Sequence, residues 1–214
     1  MSRMHCLKQK CIRLFFATAL LASTPVLLGW AGDLDGIRES VAFITAIQAE
    51  FTQEKHLEIL DDPLISKGAL YFKAPYSLRW EYLHPVRSVL LMEDETIRQY
   101  AQAGQGMVAQ KNPELEAMRV FLREICMWMQ GRFRENPDLD VHFAGDGRVV
   151  LTPVAGSAVS MVIRGITLRL TDTPGVIESV TIHEDAETYT VIRFHDTKIN
   201  RDIDGRVFRQ LEKP

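Results

Sequence analysis

The stretch 49–59 constrains the fold more than any other part of the sequence. Its side chains alternate: Ala49, Phe51, Gln53, Lys55, Leu57 and Ile59 would share one side, and Glu50, Thr52, Glu54, His56 and Glu58 the other. A period of two is the pattern of a β-strand. Eleven residues at about 3.3 Å each span about 36 Å, which is longer than most strands. A strand of this length predicts a curved sheet that wraps around something.

The segment 68–85, GALYFKAPYSLRWEYLHP, reads as two further strands around a proline. Arg79 and Glu81 point to one face of the second strand, and large apolar side chains point to the other. These apolar side chains are Leu70 and Phe72 on the first strand and Leu78, Trp80 and Tyr82 on the second. The segment therefore predicts a sheet with one strongly apolar face.

With the two strands of the segment 68–85 included, nine strands are predicted after 49–59, separated by prolines, glycines and acidic turns. The predicted ranges are 65–73, 78–82, 86–92, 96–101, 139–144, 148–152, 163–170, 176–183 and 188–194. Two helices are predicted as well. The first follows a capping Asp33 or Asp35 and carries an apolar stripe of Leu34, Ile37, Val41, Ile44 and Ile47. The second starts at Pro113 and ends at Gly131. About ten strands and two helices indicate an antiparallel α+β fold.

The first 31 residues are typical of a cleavable signal peptide. A basic start is followed by an apolar run from Leu14 to Leu28 and by small residues at Gly29 and Ala31. We therefore expect residues 32–214 to form a single exported domain. Cys6 and Cys11 precede the apolar run, so neither is a lipid-anchoring cysteine, and the processed chain keeps only Cys126. It can form no internal disulfide, and packing must stabilise it.

Charge and motifs exclude several function classes. Residues 1–31 carry four of the 25 basic residues and none of the 28 acidic ones, so the processed chain has 21 basic and 28 acidic residues and a net charge of −7. This balance argues against nucleic acid or an anionic membrane surface as the main partner. The histidines show no metal-ligand spacing, and 156–160 lacks the second glycine of a nucleophile elbow. We expect no catalytic activity, no metal and no cofactor.

Three motifs resemble the periplasmic outer-membrane lipoprotein carriers of the LolA/LolB-like family. They are FTQ at 51–53, the segment 68–85, and FHDTKINRDIDGRVF at 194–208. The resemblance implies a strongly curved antiparallel sheet of about 10–11 strands, an incomplete half β-barrel, with helices covering the concave face as a lid. It also implies a monomeric carrier in the Gram-negative periplasm. Such a carrier takes acylated lipoproteins, or another acyl-lipid cargo, from an inner-membrane ABC transporter to an outer-membrane receptor.

The predicted lipid-binding residues are the large apolar side chains of the sheet face and of the second helix. They are Phe51, Leu70, Phe72, Leu78, Trp80, Tyr82, Leu91, Met118, Leu122, Ile125 and Met129. Several methionines on the helix favour an adaptable surface. Each aromatic residue taken singly is also consistent with an ordinary core position.

The sequence departs from the family at Ala74, where well-known carriers have an arginine that latches the lid. Three readings stay open: Arg79 or Lys73 replaces the latch, apolar contacts alone hold the lid, or the cargo is a different lipid. The alternative function, from another class, is a module that senses lipid or lipoprotein and signals to a protein partner.

Overall fold

The computed structural model describes residues 34–94, 96–110, 114–173 and 175–211, without several side chains of the two α-helices. The proposed signal peptide, the helix caps near Asp33 and Pro113, and the side chain of Met118 lie outside this description. The helices are α1 (Leu34–Val41) and α2 (Glu114–Trp128), with short 3₁₀ helices at Val159–Met161 and Gly205–Phe208. The strands are β1 (Ala46–His56), β2 (Leu64–Lys73), β3 (Ser77–His84), β4 (Ser88–Glu93), β5 (Thr96–Ala103), β6 (Gly106–Gln110), β7 (Leu139–Phe143), β8 (Arg148–Pro153), β9 (Gly165–Leu170), β10 (Ile177–His183) and β11 (Tyr189–Ile199).

The strands form one antiparallel sheet of 11 strands in the order β6-β5-β4-β3-β2-β1-β11-β10-β9-β8-β7. The sheet is open, with β6 and β7 at its edges. Trp80 on β3 and Phe194 on β11 are three strand positions apart, which is about 14 Å in a flat sheet. Their ring centroids are 6.2 Å apart. The side chains therefore converge across a concave face, as expected for a curved sheet.

Helix α2 packs on the concave face and ends in a glycine-dependent cap. Gly131 has a φ of 68°, and the Arg132 N–H donates to the Met127 carbonyl at 2.9 Å, the pattern of a Schellman motif. A Cβ on Gly131 would lie 2.5 Å from a Val41 methyl carbon, so glycine also permits close approach of α1. The buried core joins Ile125 and Trp128 of α2 to the apolar face of the sheet. No helix in the described ranges is sufficiently long and apolar to span a bilayer.

The convex face of the sheet is covered by the C-terminal segment 203–211. Ile203, Val207 and Phe208 form a small second core with Ala46. Arg79 is fully buried beneath this segment. Its guanidinium donates to Glu81 Oε2 at 3.0 Å and to three main-chain carbonyls of the segment at 2.6–3.1 Å. The C-terminal segment is thus attached firmly to β3.

The first helix and the first strand differ from the sequence prediction. Helix α1 ends at Val41, and Ile47 belongs to β1, which starts at Ala46 and ends at His56. Ile44 and Ile47 are nevertheless buried. An apolar spacing of three satisfied the helical pattern, but the same residues reach the core through a turn and a strand. Ile59, expected to end the strand, is 87 % exposed in the following loop.

Candidate functional site

A half-open cavity of about 510 Å³ lies between α2 and the concave face of the sheet. Its lining comes from six strands and α2: Gln53, Lys55, Trp80, Tyr82, Ser88, Leu90, Gln99, Phe121, Leu122, Ile182, Glu184, Thr190 and Ile192. Its volume falls within the range of about 300–1,000 Å³ that is usual for small-molecule sites. Apolar and aromatic side chains form its floor and its roof, so it is suited to a largely apolar ligand.

Trp80 and Tyr82 lie at the floor of the cavity, and the buried Phe51 packs against both of them. The Phe51 ring lies 4.6 Å from that of Trp80 and 5.4 Å from that of Tyr82, between ring centroids. Tyr82 Oη donates to Gln53 Oε1 at 2.8 Å. Burial raises the pKa of the Tyr82 hydroxyl. The hydroxyl is therefore neutral at physiological pH and adds no charge to the floor.

The mouth of the cavity lies at one end of the strands. His56, Tyr189 and His183 are in register across β1, β11 and β10, so these three strand ends lie together there. Polar groups surround the mouth there. Lys55 Nζ and Glu184 Oε1 form an ion pair of 3.1 Å. Such a half-exposed pair contributes little to stability, so it is compatible with an entrance that must open.

Most exposed large apolar side chains of the described residues gather at the same end of the strands. We call this group the apolar rim: Ile59, Leu60, Leu64, Ile65, Leu83, Val86, Met161 and Val162. They lie in or beside the β1–β2, β3–β4 and β8–β9 connections. These connections lie at the same end of the sheet because neighbouring strands are antiparallel. Ile59 is 87 % exposed and Met161 is 82 % exposed. Clustered apolar exposure of this kind is typical of an interaction surface.

Another cavity, of about 400 Å³, lies on the convex face. Charged and polar side chains such as Lys67, His195, Asp196 and Lys198 contribute to its lining. An apolar ligand would desolvate these groups without pairing them. The cavity under α2 is therefore the better candidate for the functional site.

Polar contacts attach the carboxyl end of α2 to the β2–β3 turn. Gln130 Nε2 donates to the Pro75 carbonyl at 2.9 Å. Arg132 Nη1 donates to Tyr76 Oη at 3.1 Å. The guanidinium carbons of Arg123 and Arg132 lie 5.0 and 6.0 Å from the centroid of the Tyr76 ring, within reach of a cation–π interaction. This attachment lies at the end of the strands opposite the mouth.

The latch candidates named from the sequence do not hold α2. Arg79 points to the convex face and holds the C-terminal segment. Lys73 Nζ donates to the Ile203 carbonyl at 3.1 Å, so it holds the same segment. Both suggestions were wrong because alternation places residues 73 and 79 on the convex face. Tyr76, two positions beyond Ala74, makes the contacts with α2 instead.

The structure brings only part of the predicted residue set to the cavity. Trp80, Tyr82 and Leu122 line it. Six others are buried in the core around it: Phe51, Leu70, Phe72, Leu78, Ile125 and Met129. Leu91 is in register with Arg79 and faces the convex side, whereas Leu90, in register with Trp80, lines the cavity. Met118 lies outside the described side chains.

Several lining residues were absent from the predicted set. Phe121 belongs to the wide apolar surface of α2, so its helical position was a usable signal. Leu90 lies in an unbroken apolar run, 89–92, where alternation cannot decide which face is which. Ile182 and Ile192 reach the cavity because β11 pairs with β1, a long-range pairing that no local pattern reveals.

An open, curved antiparallel sheet with a helix over an apolar cavity is an incomplete β-barrel fold. A family model, the outer membrane lipoprotein carrier protein LolA, matches residues 43–210. The chain belongs to this family, and the resemblance drawn from its motifs is confirmed. A comparison with curated proteins finds no match.

The solved structures that this chain resembles are distant in sequence, and their TM-scores are below 0.5. A DUF1329 family protein from Desulfovibrio piger is 10 % identical, with a TM-score of 0.44 over 82 % of this chain and 94 % of that chain. A LolA superfamily protein from Nitrosomonas europaea is 9 % identical, with a TM-score of 0.41 over 82 % and 96 %. The MucA/MucB complex of Pseudomonas aeruginosa gives 11 % identity and a TM-score of 0.48 over 81 % and 58 %.

Proposed function

We propose that this protein is a periplasmic carrier that shields the acyl chains of lipoproteins. It receives them from an inner-membrane ABC transporter and delivers them to an outer-membrane receptor. The observation that carries the proposal is the half-open cavity of about 510 Å³ between α2 and the sheet, lined largely by apolar side chains. Membership of the lipoprotein carrier family supports the same cargo. The mechanism needs no catalytic step and no cofactor.

The energy of exposed hydrocarbon explains why a carrier is required. Burial is worth about 0.8 kcal/mol per methylene, so a chain of sixteen carbons loses roughly 12 kcal/mol on entering water. Unassisted transfer between membranes is therefore negligible. A carrier must offset this loss and still release the chain. An apolar cavity closed by a movable helix does both, because the energy needed to displace the helix lowers the net affinity.

In this proposal α2 is the lid. The hydrogen bonds of Gln130 and Arg132 with the β2–β3 turn hold its carboxyl end, at the end of the strands opposite the mouth. Phe121 and Leu122 lie over the cavity and are held by apolar contacts. Apolar contacts do not depend on one precise geometry, so a bound acyl chain can replace them.

The apolar rim is the surface at which we propose cargo is exchanged. It lies at the same end of the strands as the mouth of the cavity, so an acyl chain on its way to the mouth would meet apolar side chains there. A receptor or transporter that covers the rim would shield the chain during transfer. Export by a cleaved signal peptide at residues 1–31 would place the protein where these partners lie.

The test is to identify what copurifies with the protein from a Gram-negative periplasm. We expect acylated lipoprotein or lipid, detected by mass spectrometry. Ile182→Glu places a carboxylate on the cavity wall and should remove most of the bound acyl chains. The matched control is Val191→Glu. Val191 is also half-buried but is in register with Thr181, on the opposite face from Ile182.

Circular dichroism and urea unfolding would establish that both variants are folded. Wild-type protein without acyl chains would refute the proposal. Equal loading of the Ile182→Glu and Val191→Glu variants would refute it as well. Recovery of a membrane protein without any acyl chain would favour the sensing module instead.

A further inference from the structure

Two indole N–H groups near the cavity lack hydrogen-bond acceptors. Trp80 on β3 is 4 % exposed, and Trp128 at the end of α2 is 1 % exposed. Neither Nε1 atom has a hydrogen-bond partner among the residues that the structure describes. Buried indole N–H groups usually find a partner, so two unpaired donors in one core need an explanation.

The two indoles border the same small space. A void of about 10 Å³ between α2 and the sheet is lined by Trp80 and Trp128 together with Ile125, Met129, Phe194 and other apolar residues. Trp80 also lines the main cavity. The void is at the lower limit of size for one water molecule, and apolar walls offer that water too few partners. Bound water is therefore a poor solution for these donors.

The rings of Trp80 and Tyr82 lie 6.3 Å apart between centroids. Burial raises the pKa of the Tyr82 hydroxyl, and the nearby side chains of Trp80 and Gln53 lower it by a smaller amount. By distance and angle, however, Trp80 Nε1 has no hydrogen-bond partner, and the Tyr82 hydrogen is directed to Gln53. Trp80 thus lies beside a polar group but is not satisfied by it.

We propose that Trp80 and Trp128 recognise the carbonyl oxygen of an ester- or amide-linked acyl chain. The inference rests on the proposed carrier function and specifies its ligand. A carbonyl accepts a hydrogen bond without charge, and it enters an apolar site attached to hydrocarbon. A free carboxylate would bring a charge to a void that has no cationic side chain in its lining. A plain alkyl chain would leave both donors unpaired.

The state of α2 explains why the donors are buried without ligand. Both Nε1 atoms are inaccessible in this closed arrangement, so a carbonyl reaches them only when α2 is displaced. The closed, empty protein therefore has two unpaired donors, and cargo that carries carbonyls satisfies them. This difference favours the loaded state for acyl esters over other hydrocarbons.

Ester-linked and ether-linked lipids of equal chain length test the inference. A diacyl and a dialkyl phosphatidylcholine differ in their linkage carbonyls and share the hydrocarbon. We expect the protein to bind the diacyl lipid about 3- to 10-fold more tightly, as for one neutral hydrogen bond. A diacylglyceryl-cysteine lipopeptide and its ether analogue form a second pair, which shows whether the preference extends from phospholipid to lipoprotein cargo.

Tryptophan-to-phenylalanine variants keep an aromatic ring and remove the donor. Trp80→Phe and Trp128→Phe should weaken diacyl binding more than dialkyl binding, so the ratio of the two affinities should fall toward one. Nuclear magnetic resonance of the wild type provides a readout that does not depend on variant folding. Trp30 lies in the expected signal peptide, so the processed chain has two indole signals. Both should lie further downfield in the complex with the ester lipid than in the complex with the ether lipid.

Each outcome decides between the two proposals. Equal binding of diacyl and dialkyl lipids, with the indole signals at the same positions in both complexes, would overturn carbonyl recognition and leave the carrier function standing. An ester preference that survives in both variants would overturn it too. Failure to bind any of the four lipids would refute the carrier function itself.

Discussion

Tyr76→Leu should loosen α2 without unfolding the sheet. The Tyr76 ring lies against the guanidinium of Arg123, at 5.0 Å, and its hydroxyl accepts a hydrogen bond from Arg132 at 3.1 Å. A cation–π contact at an exposed site is worth about 0.5–1 kcal/mol, and a hydrogen bond about 0.5–1.5 kcal/mol. Together they give about 1–2.5 kcal/mol, which raises the open population of α2 about 5- to 70-fold.

Cys126 supplies the assay. It is the single cysteine of residues 32–214, it lies on α2, and it is fully buried. Burial raises the pKa of its thiol to about 12, so the closed protein holds almost no thiolate. A thiol reagent therefore reacts after α2 opens, and the labelling rate follows the open population when closing is fast. Tyr76→Leu should speed labelling by the factor given above, and Tyr76→Phe, which keeps the ring, should have a smaller effect.

Tyr100→Leu is the matched control for this experiment. Tyr100 is also half-buried, but it is in register with Val89 on the convex face. It should not change the labelling rate beyond its effect on global stability, which urea unfolding measures separately. The assignment of Tyr76 as the residue that holds α2 is refuted if Tyr76→Leu labels no faster than Tyr100→Leu. It is refuted equally if the labelling rates of all variants follow their global unfolding rates.

Three further predictions concern stability, each measured by urea unfolding. Arg79→Met leaves the buried Glu81 with one fewer cation and should cost about 3–5 kcal/mol. A loss below about 1 kcal/mol would contradict a water-excluded Arg79–Glu81 ion pair. Gly68→Ala places a Cβ 2.1 Å from the Glu81 carbonyl oxygen and 2.5 Å from the Phe51 ring, and should cost at least about 1–3 kcal/mol; unchanged stability would contradict that packing. Above pH about 8.5 the Cys126 thiol ionises in the unfolded state first, so stability should fall by up to about 1.4 kcal/mol per pH unit toward pH 12. Cys126→Ala should remove this part of the slope, and an identical slope in that variant would show that the thiol is not buried as described.

The sequence predicted the sheet well because alternation is a local signal. Strands β2 and β3 were expected at 65–73 and 78–82, and they occupy Leu64–Lys73 and Ser77–His84. Strand β6 was missed: its five residues, GMVAQ, are too few for a clear period. The long β1 was predicted at the right length but three residues late. A single apolar spacing is consistent with both a helix and a turn followed by a strand, so the boundary could not be read locally.

The candidate cavity was less predictable than the sheet. Which apolar residues line an empty space, and which fill the core, depends on how far the sheet curves and where α2 lies. Leu78 and Trp80 share one face of β3, yet Leu78 is completely buried in the core and Trp80 borders the cavity. That difference is set by the partner strands and the helix above them. Only the long-range arrangement determines it.

The two faces of the sheet are held in different ways, and this difference is what the proposed carrier would need if α2 is its lid. On the convex face, Arg79 and Lys73 bind main-chain carbonyls of the segment 203–211, and the Arg79–Glu81 pair is excluded from water. Displacing that segment would remove three main-chain acceptors from the Arg79 guanidinium, which is costly because hydrogen bonds to a charged group are strong. On the concave face, Gln130 and Arg132 donate hydrogen bonds to the β2–β3 turn just beyond the carboxyl end of α2, next to Gly131. If α2 is the lid of the proposed carrier, this end would serve as its hinge, and opening would expose the apolar contacts of Phe121 and Leu122. The proposed carrier would then keep the curvature of its sheet through loading and release.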